Sequence, residues 1–256
     1  MVGLDREGVA AGRPNFVTTE PFAVGATCVL DENAARHMRV LRLDLGAVVG
    51  VRDGQGHVGV GQLVRLTKSQ AVIEISQVDV IAPLPAVHLL VPVADRDRML
   101  WLAEKACELG CSSWRPVLWR RSRSVFPRGE GIAFQQKVMA RMTSALAQSE
   151  GAWLPQPFPE ATLDRALLAA PPGDRFVLDP AGSPMVGLAA AALQEPIVLA
   201  IGPEGGIESD ELKTLAAAGF RLVRLGPTIL RFETAAVSAL AIARTALGAI
   251  STTRES

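Results

Sequence analysis

The chain has 256 residues, of which 49% are hydrophobic and 20% are charged, and its formal net charge is zero. No apolar run reaches the roughly 18 residues that a membrane span needs, so the composition argues against a membrane protein. The neutral balance gives no support of its own to a nucleic-acid partner. The N-terminus lacks the apolar segment of a signal peptide, and the three cysteines are an odd count, so we expect reduced thiols in a cytoplasmic protein.

The N-terminal third of the sequence predicts a small, mostly antiparallel β unit, which we expect to form a barrel. Residues 1 to about 18 have the character of a loose arm, and short strands with turn signals follow from 27 to 81. The segment "ENAARHMRVL" predicts a short helix, and Asp53-Gly54 is a strong hairpin signal. The proline-containing stretch 82–86, "APLPA", is a plausible linker to the rest of the chain.

After the linker the pattern changes to alternating strands and helices, which is typical of a parallel sheet covered by helices. The predicted strands are "VHLLVPV", "WRPVLW", "RFVLDP", "PIVLAIG" and "FRLVRLG". The predicted helices are "DRDRMLWLAEKACELG", "AFQQKVMARMTSALAQS", "EATLDRALLAA", a short one near 187–194, one that Ser209 or Asp210 caps and Gly219 closes, and "TAAVSALAIARTALG". The last of these is apolar nearly all round, so we expect it to lie deep in the domain or between two subunits.

Two arginine-rich segments are candidates for contacts with phosphate. The segment "RHMRVLR" spans residues 36–42, and "RPVLWRRSRSVFPR", residues 115–128, holds five arginines and no acid. The planar guanidinium group matches the geometry of phosphate oxygens. A solvated surface is the alternative for each segment, and packing or capping is the alternative for the histidine. The candidate RNA-binding residues are Arg36, His37, Arg39, Arg42, Arg120, Arg121 and Arg123.

The stretch "LAIGPEGGIESDEL", residues 199–212, places a glycine-rich turn between a strand and a helix. It lacks the lysine of a phosphate loop and the spacing of a dinucleotide fingerprint, and Glu204 would repel a phosphate. A similar turn, "LGPTILRFETA", follows the next strand and carries Arg231 and Glu233. Ligands of such sheets bind beyond the carboxyl ends of the strands. The two turns therefore suit a nucleoside with positive charge, such as S-adenosylmethionine, and the alternative is two ordinary tight turns.

The segments "IGPEGGIESDEL" and "LGPTILRFETAAVSAL" resemble the signature stretches of the RsmE-type methyltransferases of the SPOUT superfamily. Further segments resemble that family in the same order along nearly the whole chain: "RHMRVLRLDLGAVVGVRDGQG", "DRMLWLAEKACELGCSSWRPVLWRRSRS" and "ALAQS". The resemblance implies a PUA-like β-barrel RNA-binding domain over residues 1–81 and a SPOUT methyltransferase domain over 86–256, with a trefoil knot at about 175–248. It also implies a homodimer.

The resemblance implies methylation of N3 of a uridine (the position numbered 1498) near the 3′ end of 16S rRNA in the small ribosomal subunit, with S-adenosylmethionine as the cofactor and no metal. Our hypothesis for the chemistry is that Arg231 stabilises negative charge on the base and that Glu204 or Glu233 accepts its proton, directly or through water; the alternative is that both glutamates only shape the loop. The residues expected at the cofactor are Leu178, Ile201, Gly202, Pro203, Glu204, Gly205, Gly206, Leu225, Gly226, Ile229, Leu230, Thr234 and Ala235.

The chain departs from the family pattern at three places: no arginine follows Gln148-Ser149, Asn15 precedes Phe16, and Phe232 stands where a smaller residue is common. The first two departures concern RNA contacts, and the third concerns the shape of the cofactor loop. Two other functions stay open at this point. One is a methyltransferase of the same superfamily for another rRNA or tRNA position, and the other is a non-catalytic RNA-binding protein.

Overall fold

The structure is a computed structural model that describes residues 13–124, 128–190 and 193–253. The chain divides into two compact units. The first consists of the described residues up to Ala82 together with Leu146–Trp153, and the second consists of the remaining residues from Pro83 onwards. No local sequence pattern indicates that Leu146–Trp153 belong to the first unit.

The first unit is a five-stranded half-barrel with one helix. Its strand order is β1-β3-β4-β5-β2, with β1 parallel to β3 and every other pair antiparallel. The elements are β1 (Asn15–Val17), β2 (Thr27–Leu30), α1 (Glu32–Val40), β3 (Val48–Arg52), β4 (His57–Leu66) and β5 (Ala71–Val80). The predicted β unit, its short helix and the hairpin at Asp53-Gly54 are confirmed. The prediction of a loose arm as far as residue 18 is wrong at Asn15–Val17, because these residues pair with β3; residues 1–12 lie outside the described part.

The core of the first unit follows from the alternation of its strands. Cys28 and Leu30 of β2 are buried, and so are alternate residues of the other strands and the inner face of α1. The side chain of Asp31 caps α1 by accepting a hydrogen bond from the main-chain N–H of Ala34 at 2.9 Å.

Residues Leu146–Trp153 are attached to the first unit by hydrogen bonds. The buried guanidinium of Arg52 donates to the carbonyl of Gly151 at 3.0 Å, and the indole N–H of Trp153 donates to the carbonyl of Ile81 at 2.8 Å. Gly56, whose φ is +103°, lies against the ring of Trp153, and a Cβ at this position would be 2.7 Å from Cζ2 of the indole. This close approach requires glycine at position 56.

The second unit contains a parallel sheet with the order β12-β10-β11-β6-β7-β8, and β9 pairs separately with β7. Its strands are β6 (Val87–Pro92), β7 (Ser113–Leu118), β8 (Gln156–Pro157), β9 (Ala161–Thr162), β10 (Asp174–Pro184), β11 (Ile197–Ala200) and β12 (Arg221–Arg224). Its helices are α2 (Arg96–Glu108), α3 (Ile132–Ser149, of which the residues from Leu146 onwards belong to the first unit), α4 (Leu163–Leu168), α5 (Ser209–Ala217) and α6 (Phe232–Thr253). The predicted α/β fold with a parallel sheet, preceded by a separate β unit, is confirmed. The knotted path over about 175–248 stays a prediction.

Several predicted boundaries in the second unit are wrong. A 3-10 helix at Met185–Ala190 stands where a helix was expected near 187–194, and it follows directly on β10, which is longer than predicted and pairs with β12 as far as Pro184. The cap of α5 is Glu208 rather than Ser209 or Asp210. Gly219, with φ +84°, ends this helix as predicted.

Helix α6 lies against α2, β6, β11 and the 3-10 helix Met185–Ala190, and this packing buries one of its faces. Ala236, Ala239 and Leu240 are fully buried, whereas Val237 and Ile242 are half-buried. Packing within the domain therefore explains part of the apolar composition of α6.

Within the described residues, no helix is long and apolar enough to cross a bilayer. Over the same ranges, no group of three or more His, Cys, Asp or Glu side chains is arranged to hold a metal ion.

Candidate active site

The candidate site lies at the carboxyl edge of the parallel sheet, where four neighbouring strands end. Residues 201–208, here called the glycine loop, follow β11, and residues 225–231, here called the second loop, follow β12. Because β10 lies between β11 and β12, the two loops flank the end of its regular part at Leu178. Helix α2 begins just after β6, which is the other neighbour of β11. This is the edge at which open α/β sheets bind ligands.

The glycine loop is fixed to the sheet and to its own following helix. The N–H of Ile201 donates to the carbonyl of Leu90 at 2.9 Å, and the N–H of Gly206, at φ +78°, donates to the carbonyl of Pro203 at 2.8 Å. A Cβ at Gly202 would lie 2.5 Å from Cγ1 of Ile207. A side chain at position 202 would therefore displace Ile207 and change the path of the loop.

The second loop presents main-chain groups and apolar side chains to solvent. No hydrogen bond joins the main-chain groups of residues 226–230 to any residue that the structure describes. Ile229 is 89% exposed and Leu230 is 36% exposed. Free amides next to exposed apolar side chains are suited to a flat heterocycle, which needs both edge hydrogen bonds and face contacts.

The two candidate carboxylates meet at one guanidinium group. Arg98, in the first turn of α2, forms an ion pair with Oε1 of Glu204 from the glycine loop. Its Nε lies 4.0 Å from Oε1 of Glu233 in the first turn of α6. Glu233 is only 8% exposed, and its Oε2 is buried without a hydrogen-bond partner in the described chain. The sequence predicted both glutamates but not Arg98.

Arg231 lies next to this group in the chain but does not join it. Its side chain is exposed and forms no ion pair with the described residues, and its carbonyl accepts the N–H of Ala235 at 2.9 Å at the start of α6. A cleft at the carboxyl edge is lined by Val93, Ala94, Asp95, Arg98, Arg121, Ser122, Pro203, Glu204, Gly205 and Phe232. The cleft therefore includes part of the glycine loop but not Arg231, and Phe232 forms part of its wall.

The arginines that follow β7 are tied to the first turn of α5. Arg120 forms ion pairs with Glu208, at 3.3 Å, and with Asp210, and the hydrogen bond to Glu208 raises the pKa of this guanidinium. Arg121 lies 3.5 Å from Glu208 and donates to the carbonyl of Gly205 in the glycine loop at 2.6 Å. The side chain of Arg123 lies outside the described part. Arg120 and Arg121 are thus partly neutralised within the chain.

A buried carboxylate holds that arginine segment in place. Glu211 is 6% exposed and accepts the N–H of Arg120 on one oxygen and the N–H of Glu208 on the other, each at 3.0 Å. The second bond is half of the capping box of α5. Glu211 was not among the predicted site residues, because its role depends on a partner far away in the sequence.

Three candidate RNA-binding arginines of the first unit have no carboxylate partner among the residues that the structure describes. Arg36 donates to the side chain of Asn33 at 2.8 Å, and Arg39 donates to two carbonyls of the turn after β4. Arg36, Arg39 and Arg42 form no ion pair with a described residue. The ring of His37 lies edge-on to that of Phe16, with 5.7 Å between centroids, which favours the packing alternative for the histidine.

Comparison with known proteins identifies the family of the chain. Residues 82–244 match the RNA methyltransferase domain model, and residues 30–76 match the RNA methyltransferase PUA domain model. The chain is 33% identical over 209 residues to ribosomal RNA small subunit methyltransferase E of Synechocystis, covering 79% of this chain and 67% of that protein. It is 30% identical to the Mycobacterium bovis protein of the same name, with 88% of each chain covered.

Solved structures of two bacterial proteins share the fold over almost the full length. One is ribosomal RNA small subunit methyltransferase E from Neisseria gonorrhoeae bound to S-adenosylmethionine, with a TM-score of 0.77, 29% identity, and 91% and 97% of the two chains covered. The other is a methyltransferase from Legionella pneumophila in complex with the same cofactor, with a TM-score of 0.79, 25% identity, and 91% and 98% covered. The chain belongs to the family of RNA methyltransferases that includes ribosomal RNA small subunit methyltransferase E.

Proposed function

We propose that this chain methylates N3 of a uridine near the 3′ end of 16S rRNA, at the position numbered 1498, with S-adenosylmethionine as the methyl donor. The family membership and the names of the relatives support the substrate class. The observation that carries the proposal is the carboxyl edge of the sheet, where the free main-chain groups of the second loop lie beside the glycine loop and its carboxylates.

The residues present fit this cofactor. The unbonded main-chain groups of 226–230 and the exposed side chain of Ile229 suit an adenosyl group, together with main chain near Leu178 and in the glycine loop. The buried, unpartnered Oε2 of Glu233 is an acceptor that lacks a donor in the described chain. S-adenosylmethionine supplies an electrophilic methyl group when it is bound. The cofactor residues predicted from the sequence, from Leu178 to Ala235, stay part of this proposal.

Arg231 is assigned to charge stabilisation on the target base. Loss of the N3 proton leaves negative charge on the uracil ring, chiefly at its carbonyl oxygens. An exposed guanidinium without an ion pair in the described chain is available to donate hydrogen bonds to those oxygens. The exposed position also suits a base that has been turned out of its stack, which is a requirement for reaching N3.

Of the two candidate proton acceptors, Glu233 is the better placed. Glu204 is half exposed, and one of its oxygens is engaged by Arg98. Glu233 is buried, and its Oε2 is free to accept a hydrogen bond.

The arginines on both units are assigned to RNA phosphates. Arg36, Arg39 and Arg42 are free of carboxylates in the described chain, and Arg120 and Arg121 lie beside the glycine loop. Their replacement should weaken RNA binding for all sequences alike and flatten its dependence on salt.

The proposal also includes a PUA-like domain over residues 1–81 and a SPOUT domain over 86–256 with a knot at about 175–248. It further includes a homodimer formed through α6 and a cytoplasmic location.

The decisive experiment is transfer of labelled methyl from S-adenosylmethionine to small ribosomal subunits that lack the modification, with naked 16S rRNA in parallel and the product nucleotide mapped. Label at uridine N3 supports the proposal, and the ratio of the two substrates reports which form is recognised. Label at another position would favour a different RNA target within the superfamily. A chain that binds no cofactor would instead be a non-catalytic RNA-binding protein.

The variant Arg231→Ala tests the assignment of that residue. Turnover should fall by about 100-fold or more, as for other groups that stabilise transition-state charge, and cofactor affinity should stay near the wild-type value. The two quantities are measured by methyl transfer and by calorimetric titration with S-adenosylmethionine. A near wild-type rate would contradict the assignment.

A further inference from the structure

Arg98 occupies the centre of the candidate site although it belongs to none of the signature loops. It lies in the first turn of α2, where its main-chain N–H donates to the capping side chain of Asp95 at 3.0 Å. Its side chain, one-third exposed, reaches the carboxylates of Glu204 and Glu233. One guanidinium thus links three elements: the start of α2, the glycine loop and the start of α6.

The electrostatics of this group depend on Arg98. Two carboxylates that share a site repel each other, and the guanidinium of Arg98, which lies next to both, offsets that repulsion. One positive and two negative side chains leave one negative charge unbalanced, which suits a ligand with a net positive charge such as S-adenosylmethionine. Glu204 stands between Pro203 and Gly205 on an exposed turn, so its ion pair with Arg98 is also a tether for the glycine loop.

We propose that Arg98 is a positioning residue of the active site: it fixes the glycine loop to α2 through Glu204 and leaves one oxygen of Glu233 free to accept a hydrogen bond from the ligand. This inference rests on the proposed function for its ligand, but the tether itself exists without one. Arg98 therefore acts through the two glutamates and takes no part in methyl transfer.

Three variants test the inference. Arg98→Met removes the charge and keeps much of the side-chain length, and Arg98→Lys keeps the charge but loses the fork that can serve two carboxylates. Arg96→Met is the matched control, because it removes the same group two residues earlier in the same helix turn and Arg96 does not line the cleft. Hydrogen exchange of peptides covering residues 201–207 is measured without ligand, and binding of S-adenosylmethionine is measured by calorimetry.

In Arg98→Met, the glycine loop should exchange faster, and the dissociation constant for S-adenosylmethionine should rise by about tenfold. Arg98→Lys should recover most of the affinity, and Arg96→Met should match the wild type. In a Glu204→Gln background, Arg98→Met should add little to the exchange of the loop, because the tether is already lost. These outcomes together support the inference.

Wild-type exchange and affinity in Arg98→Met would overturn the inference, as would equal effects of Arg96→Met. Faster exchange of the whole chain, rather than of residues 201–207, would also overturn it, because Arg98 would then be a general stabiliser. A wild-type protein that binds no S-adenosylmethionine would refute the proposed function instead. The exchange experiment would still test the tether in that case.

Discussion

The side chain of Arg244 on α6 allows a stability prediction whose size follows from its contacts. Its guanidinium donates to the carbonyl of Leu109 at 3.1 Å and also to the carbonyls of Gly110 and Pro85. Two of these carbonyls lie at the end of α2, where helix geometry leaves them without partners. Burial lowers the pKa of Arg244, so the site holds a charge that is partly removed from water. Arg244→Met should leave three acceptors without their donor.

The contacts of Arg244 set bounds on the free energy of unfolding that the variant loses. A hydrogen bond to a charged group contributes about 1.5–3 kcal/mol, so three such bonds set an upper bound of about 9 kcal/mol. The carbonyls left behind are neutral, so each one without a donor costs about 1–3 kcal/mol, and the variant also removes the cost of burying the guanidinium, which keeps the loss in the lower part of that sum. We therefore expect a loss of about 3–5 kcal/mol and a fall of roughly 6–20 °C in the melting temperature.

Thermal and urea unfolding, followed by circular dichroism, measure this loss. The control is Arg141→Met, which removes an exposed ion pair with Glu104 at 3.8 Å and should cost less than about 1 kcal/mol. Equal stabilities of the two variants would refute the argument. It would then follow that water replaces the guanidinium at the end of α2 without loss.

Three further predictions concern RNA affinity, pH and thiol chemistry. Glu208→Gln should tighten RNA binding in low-salt titrations, because it frees Arg120 and Arg121 from a competing carboxylate; unchanged or weaker binding would contradict their role at phosphates. The pKa of His88 lies below its usual value of 6.5, chiefly because the ring is buried and also because the positive charge of Arg244 is near. Below pH 6.5 the unfolded chain therefore binds a proton that the folded chain does not. Stability should therefore fall as pH drops below 6.5, and this fall should shrink in His88→Gln; identical urea midpoints against pH in both proteins would exclude it. Burial raises the pKa of Cys107 to about 12, so its thiol should react with iodoacetamide at pH 8 only after unfolding, as mass spectrometry of the native protein can show.

The sequence predicts the elements of this fold well where local signals decide them. The strand β11, the glycine loop and the end of α5 at Gly219 follow from an apolar run, a cluster of glycines and a helix stop, all within 20 residues or so. The N-cap of α5 was wrong for a reason that lies outside the helix. Glu208 takes the cap because Glu211 accepts its N–H, and Glu211 is in turn held by the N–H of Arg120.

The end of β10 is likewise decided by residues far away in the sequence. The predicted strand ends near Asp179-Pro180, where proline and glycine signal a turn, but pairing with β12 resumes at Ser183 after a shift in register. That second pairing depends on a strand about 40 residues later, so no local pattern reveals it. A 3-10 helix follows this pairing directly at Met185–Ala190, which is earlier than the helix expected near 187–194.

Arg98, at the centre of the candidate site, was not predicted from the sequence for a related reason. In "DRDRML" the second arginine has the pattern of any polar residue on an amphipathic helix, and its partner Glu204 is 106 residues away in the chain. The loop glutamates were recognisable because glycines and a family signature surround them. The topological signal for Arg98 was the start of a helix beside the strand that carries the glycine loop, which strand order reveals and sequence order does not.

On the proposed function, the distribution of charge explains how a chain of zero net charge would bind RNA. In the first unit, Arg36, Arg39 and Arg42 have no carboxylate partner in the described chain, so their field is available to RNA at long range. In the second unit, Arg120 and Arg121 are paired with acids of α5 beside the glycine loop. Phosphate must displace those acids to bind there, which requires close and correctly placed RNA. On the proposed function, the first unit would set the rate of association, and the paired arginines would respond only to RNA that has reached the active site.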